Sequence, residues 1–167
     1  SKVSFPGSGI AALACSENNM KDALRHMKYQ IISHDKLNQL RHVRYFKNLD
    51  GVKAHMMRHA EIMRPKFETV LKVLEEELGG LGIGEWTKPN GGYFISFDAM
   101  EGCAKKIVAK AKEAGLVMTG AGATYPYGKD PKDSNIRIAP SYPTPEELAV
   151  AGSIFVLSVK LVSIEKL

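Results

Sequence analysis

Ser1-Lys2-Val3-Ser4-Phe5-Pro6-Gly7-Ser8-Gly9 sets a lysine between two serines, then an apolar Phe-Pro pair, then two glycines around a small hydroxyl residue. Glycine lets a backbone approach a ligand closely and adopt positive φ, so neighbouring amides can converge on an anion. Serine hydroxyls add donors to the same place. A lysine beside such a nest has two chemical uses: counter-ion to a phosphate, or Schiff-base nucleophile once burial disfavours its charged form. An ordinary strand and turn carrying a solvated lysine fits the same residues. The chain opens on this stretch without an initiator methionine, which is expected of a piece of something longer.

The 167 residues suffice for one domain, or for one domain and part of another. With 44% hydrophobic and 25% charged residues and no low-complexity tract, the chain is expected to bury a core. No apolar run is expected to approach the length of about 18 residues that a membrane span needs, so no membrane partner is expected. Cys15 and Cys103 have no metal-ligand spacing; they read as small buried hydrophobes in a reducing, cytoplasmic setting. The net charge of +5 is spread among acidic residues rather than gathered in a stripe, so nucleic acid is not an expected partner either.

Working outward, Ile10-Ala11-Ala12-Leu13-Ala14-Cys15 reads as a short buried strand, and Ser16-Glu17-Asn18-Asn19 as a turn and N-cap before a helix over 20–33. A second helix is expected over 37–46, with the polar face Asn38, Gln39, Arg41, His42 and Arg44. A long one follows over 48–78, interrupted at Pro65 and stopped by Gly79-Gly80. His55 and His59 stand at i, i+4, which suits a metal, but no third ligand accompanies them and a helix-surface pair is the better reading. Two strands are expected at 85–87 and 92–97, a helix over 101–114, strands at 116–119 and 135–140, and a last helix opened by Thr144-Pro145-Glu146-Glu147. That order gives an α/β sandwich with a small mixed sheet.

Five stretches carry a resemblance when taken in this order. They are Ser1-Lys2-Val3-Ser4-Phe5-Pro6-Gly7, Asn38-Gln39-Leu40-Arg41-His42, Lys88-Pro89-Asn90-Gly91-Gly92-Tyr93-Phe94, Gly120-Ala121-Gly122-Ala123-Thr124-Tyr125-Pro126-Tyr127-Gly128 and Asn135-Ile136-Arg137-Ile138-Ala139-Pro140-Ser141-Tyr142-Pro143. Across essentially the whole chain they resemble the C-terminal part of fold type I, class I pyridoxal-phosphate-dependent aminotransferases, and most of all the bacterial aspartate aminotransferase subgroup. The resemblance implies that residues 1–48 end the large, cofactor-binding domain. Residues 49–167 would then form a long linking helix and the small C-terminal domain, a mixed sheet with helices packed on it.

It further implies pyridoxal 5'-phosphate as cofactor and no metal. Lys2 would be the catalytic Schiff-base lysine and the base that moves the substrate's α-proton. Ser1 would hold that lysine or the cofactor phosphate. Arg137 would clamp the substrate α-carboxylate, which a planar guanidinium meets bidentately. The implied reaction is transamination between an amino acid, expected to be aspartate, and a 2-oxo acid, expected to be 2-oxoglutarate, in a homodimer. Lys36 and Arg41 are candidates for reading a side-chain carboxylate across the dimer.

One position departs from the pattern. Most class I members carry a phosphate-binding arginine eight residues after the lysine, and here that residue is Ile10. Either Ser8, as a cofactor-binding residue, and backbone amides near Gly7 and Gly9 compensate, or an arginine elsewhere does. Most of the large domain also precedes the lysine in the family, so the chain alone is expected to be inactive. The competing readings are an aminotransferase-like effector domain of a transcription regulator and a stand-alone structural module.

Overall fold

The computed structural model describes residues 2–167. The chain forms α1 (Glu17–Gln30), α2 (Lys36–Phe46), α3 (Leu49–Leu78), β1 (Gly84–Trp86), β2 (Ile95–Ala99), α4 (Ala104–Glu113), β3 (Asn135–Ile138) and α5 (Pro145–Lys166), with a short 3-10 turn at Pro126–Gly128. It divides into two compact units, the first ending at Ala60 and the second Glu61–Leu167, so the division falls inside α3.

The described part of the first unit contains helices and no strand. Helix α2 starts where the Asp35 carboxylate accepts the Asn38 amide at 2.9 Å. It ends in a tight corner: Lys47 takes φ 63°, and the Asn48 amide donates to Phe46 O at 2.7 Å. The Asn48 side chain then caps α3 by accepting from the Gly51 amide at 3.0 Å. A Cβ on residue 51 would stand 1.9 Å from Phe46 O, so the corner closes only around a glycine. The strand expected over Ile10-Cys15 does not form. A strand needs a ladder partner, and the helices of this unit offer none; Ile10, Leu13 and Cys15 are exposed, which also corrects the buried reading of Cys15.

The second unit is a three-stranded sheet in the order β1-β2-β3, antiparallel throughout. Alternation along β2 buries Ile95, Phe97 and Ala99, while Asp98 stays exposed. Phe97 pairs with Ile136 across the ladder and meets Phe155 of α5 edge-on, with ring centroids 5.0 Å apart. Val70, Leu74 and Leu78 of α3 and Ile107 of α4 complete the core. The mixed sheet expected from sequence is therefore corrected. The segment 116–119 pairs with no strand, because the Leu116 amide closes α4 on Ala111 O while Leu116 and Met118 pack against the core.

Helix α5 begins as its sequence dictates. Thr144 accepts from the Glu147 amide and the Glu147 carboxylate accepts from the Thr144 amide, with Pro145 in the first turn. By length and composition α5 could cross a membrane, contrary to expectation, since Ser153, Ser158 and Lys160 break its apolar run without lowering its average much. Leu148, Gly152, Phe155, Val156, Val159 and Val162 nevertheless lie in one buried stripe, as in a core helix. Gly152 packs against α3, where a Cβ would sit 3.1 Å from Val73 Cγ1. Helix α3 itself continues unbroken through Pro65.

The loop before β3 is organised by Asp130. Its carboxylate accepts from the amides of Asn135 and Ser134, each at 2.8 Å, and of Lys132 at 2.9 Å. The Asn135 amide foremost, with the other loop amides, holds this carboxyl below the usual carboxylate range, against partial burial that pushes it the other way. A carboxyl lowered in the folded state stabilises fully above its unfolded value, about 4, and loses that contribution as pH falls through the lower folded value. The denaturation midpoint in urea should therefore fall with acidification below pH ~4 more steeply for the parent than for Asp130→Asn. Parallel curves for the two proteins would show that the loop does not depend on this charge.

The corner at Gly51 makes a second prediction. Gly51→Ala should destabilise on the order of 2–3 kcal/mol, since the clash is with backbone that cannot rotate away. A urea midpoint equal to the parent's would mean that the corner relaxes freely.

Candidate functional site

The backbone after Lys2 is held from one side by α2 and α3. Phe5 packs its ring against His42, Tyr45, Phe46 and His55, at centroid distances of 5.0, 5.1, 5.4 and 5.6 Å. His55 Nε2 donates to Ser4 O at 3.0 Å, which assigns its proton to that nitrogen and leaves Nδ1 to face the Tyr45 hydroxyl at 3.5 Å. His55 is therefore buried and bonded to this loop, not the surface residue expected from its i, i+4 pairing with His59. His42 Nδ1 donates to Asn38 O at 2.8 Å, fixing the ring that covers Phe5.

Asn38 and Arg41 take the next turn of the loop. The Asn38 Nδ2 group donates to Ser8 O at 3.2 Å and to Gly9 O at 3.1 Å, while the Ser8 amide donates back to Phe5 O at 3.1 Å. Gly7 supports that reversal at φ +72°, a conformation that side-chain-bearing residues seldom adopt. Arg41 Nη1 donates to Ser8 Oγ at 2.9 Å. The hydroxyl is the acceptor in that bond, so its own O–H remains available for an acceptor beyond. Lys2 lies exposed at the head of this loop, and Ser1 falls outside the described residues.

Arg137 belongs to the second unit. It stands on β3 opposite Ser96, between the buried Ile136 and Ile138. Its guanidinium carbon lies 4.5 Å from the Phe94 ring centroid, and Nη2 reaches Thr119 Oγ1 at 3.5 Å. Nε is buried without a hydrogen-bond partner. No carboxylate stands within ion-pair distance of Arg137 among the described residues. Arg137 and Thr119 line one side of a cavity of about 220 Å³ whose other walls include Val70, Leu74, Pro140 and Phe155. Asn135 ties the second glycine loop to the sheet: its side chain donates to Ser96 Oγ and Asp98 Oδ1, each at 2.9 Å, and accepts from Thr124 Oγ1 at 2.6 Å.

These groups fit the cofactor and substrate that the motifs imply. Around the first loop the donor set is a primary amine, a hydroxyl and a guanidinium, which suits an aldehyde and a phosphate dianion. An unpaired arginine stacked on an aromatic face suits a carboxylate brought from outside. Ser8 meets Arg41 within the first unit that also holds Lys2, and Arg137 meets Thr119 and Phe94 within the second. Lys36 is exposed at the start of α2, whereas Arg41, expected beside it as a reader of side-chain carboxylates, is turned to Ser8. The spacing of Asn38, Arg41 and His42 at i, i+3 and i+4 was the signal that one helix face carries all three. Thr119 had no such signal, standing eighteen positions from Arg137.

Comparison with known proteins agrees. Residues 1–167 match the family described as aspartate amino-transferase. An aspartate aminotransferase of Corynebacterium glutamicum is 44% identical over 151 residues, covering 90% of this chain and 35% of that protein. A Mycolicibacterium smegmatis protein bearing an aminotransferase name is 49% identical over 144 residues, covering 86% of this chain and 34% of its own length. The crystal structure of an aspartate transaminase from C. glutamicum superposes with a TM-score of 0.85 at 44% identity, over 90% of this chain and 36% of that one. An α-aminoadipate aminotransferase of Thermus thermophilus, complexed with N-(5'-phosphopyridoxyl)-L-leucine, shares the fold at a TM-score of 0.80 and 19% identity, over 98% of this chain and 41% of its own. The chain thus spans about a third of the length of the curated relatives it matches. Its fold is that of the C-terminal part of such enzymes, and the chain belongs to the aspartate amino-transferase family.

Proposed function

We propose that the whole protein carrying this chain transfers an amino group between an amino acid and a 2-oxo acid with pyridoxal 5'-phosphate as cofactor. The observation that carries this reading is Arg137: half-buried, stacked on Phe94, its Nε unpartnered and no carboxylate of the described residues beside it. Every substrate of such a reaction carries an α-carboxylate, and a guanidinium fork held on a rigid strand is the group that orients one. The match to an aspartate aminotransferase at 44% identity supports aspartate as the amino donor. With it we take 2-oxoglutarate as acceptor and a homodimer as the assembly.

Bound pyridoxal phosphate supplies the electron sink that makes the substrate's α-C–H acidic. The residues of this chain supply the rest. The Lys2 Nζ amine would hold the cofactor's aldehyde end, and as a base it would take and return the proton at the substrate Cα. Arg137 binds the substrate's α-carboxylate and fixes its orientation. Thr119 Oγ1, 3.5 Å from Nη2, and the Phe94 ring, its centroid 4.5 Å from the guanidinium carbon, steady the group. Asn38, His42 and His55 hold the loop from which Lys2 projects.

Lys2→Ala should abolish transamination. Borohydride reduction of the parent followed by peptide mapping should fix the cofactor on Lys2, and cofactor on another lysine would sink the assignment.

Arg137→Ala should lower kcat/KM for aspartate and for alanine by similar amounts, about 2–5 kcal/mol, as when one partner of a buried charged pair is removed. Arg137→Lys should lose less, keeping the charge without the fork. Loss confined to aspartate would move Arg137 to a side-chain pocket, and no loss would remove it from the site.

A further inference from the structure

We propose that Arg41, acting with Ser8, is the charged seat for the cofactor's phosphate, an assignment that rests on the reading of Lys2 and pyridoxal phosphate given above. The direction of one hydrogen bond carries it. Arg41 Nη1 donates to Ser8 Oγ at 2.9 Å, so the serine oxygen's accepting capacity is engaged by a cation while its proton points elsewhere. A hydroxyl polarised in that way is a stronger donor to an anion, and the guanidinium keeps further N–H groups for the same anion.

The surroundings favour an anion rather than a neutral group. Asn38 Nδ2 engages both Ser8 O and Gly9 O, turning the two carbonyls nearest the hydroxyl toward α2. Had those oxygens faced the same space, they would repel a phosphate. Arg41 is not in an ion pair with any carboxylate of the described residues, so none of them neutralises its charge. Ser8 follows Lys2 by six positions along a loop that doubles back through Gly7, and both belong to the same compact unit. One ligand carrying an aldehyde and a phosphate monoester satisfies the amine and the Arg41–Ser8 pair together. In this chain a charge from helix α2 answers the one that Ile10 does not provide.

The test compares affinities of the complete protein for pyridoxal 5'-phosphate and for pyridoxal, which lacks the phosphate, by absorbance titration of the apoprotein. Arg41→Ala should weaken pyridoxal phosphate about 10- to 100-fold, the range for a hydrogen-bonded charge, and leave pyridoxal within about twofold. Arg41→Lys should fall between. The effect of Arg41→Ala should shrink in a Ser8→Ala background, because the two side chains act on one group. Inorganic phosphate should compete with pyridoxal phosphate in the parent and compete less in Arg41→Ala, and the ³¹P resonance of the bound cofactor should shift in the variant.

Equal weakening of both ligands would make Arg41 a pin for the loop and overturn the assignment. Unchanged cofactor affinity with a fall in kcat/KM for aspartate but not alanine would overturn it in favour of a side-chain reader. A parent that binds pyridoxal phosphate no better than pyridoxal, and from which borohydride fixes no cofactor, would remove the proposed function and this seat together. Cofactor fixed on Lys2 with no response to Arg41 removes the seat alone.

Discussion

A single carboxamide, that of Asn38, donates to two consecutive carbonyls, Ser8 O and Gly9 O, and the shape of the loop after Lys2 depends on that pair of hydrogen bonds. A loop of glycine and serine has many conformations of similar energy, and fixing one of them costs about 1–2 kcal/mol per residue. Here the cost is offset from one direction by side chains of two helices: Asn38 at the far turn, His55 at Ser4 O, and the aromatic group around Phe5 between them. Because those contacts consume carbonyl oxygens, the donor groups of the loop are what remains to meet a ligand. The polarity of the site follows from which backbone atoms the scaffold takes for itself.

The second unit solves the opposite problem with the opposite means. Arg137 needs little local persuasion, because a strand paired with β2 and flanked by Ile136 and Ile138 sets its direction through register alone. What the side chain lacks is a charged partner, and the structure supplies instead the face of Phe94 and a hydroxyl at 3.5 Å. Neither neutralises a guanidinium. A cation steadied by a ring and left without a counter-ion is held in shape yet still attracts an incoming carboxylate.

How much of this could be read from sequence depended on how far apart the interacting residues lie. Ser16 and Thr144 cap helices through contacts three residues away, and the local signals at 16–19 and 144–147 made those helices legible, whereas the Asp35 cap of α2 was not read. The strand expected at 92–97 formed at Ile95–Ala99, with its bounds shifted. Ile10-Cys15 and 116–119 were misread because an apolar run resembles a strand until the absence of a ladder partner is known. Burial of His55 and the turning of Arg41 toward Ser8 rest on contacts across 51 and 33 positions, and no local pattern announces those. Lys2 and Arg137 came from ordered motifs; Thr119, with neither motif nor periodicity behind it, could be found only in three dimensions.

Those same separations bear on the order in which the molecule assembles. The bonds that shape residues 4–9 span 29, 30, 33 and 51 positions, while the helices that provide them are local structures. Closing long loops is entropically late, so the segment bearing Lys2 acquires its shape only after α2 and α3 have formed and met. It is also the first to be lost, by a local opening that leaves the helices intact. Melting followed by helical circular dichroism would then overstate how long the site survives. Amide exchange at residues 4–9 should reveal the earlier event, and protection there equal to that of Leu74 or Val159 would show that loop and core open as one.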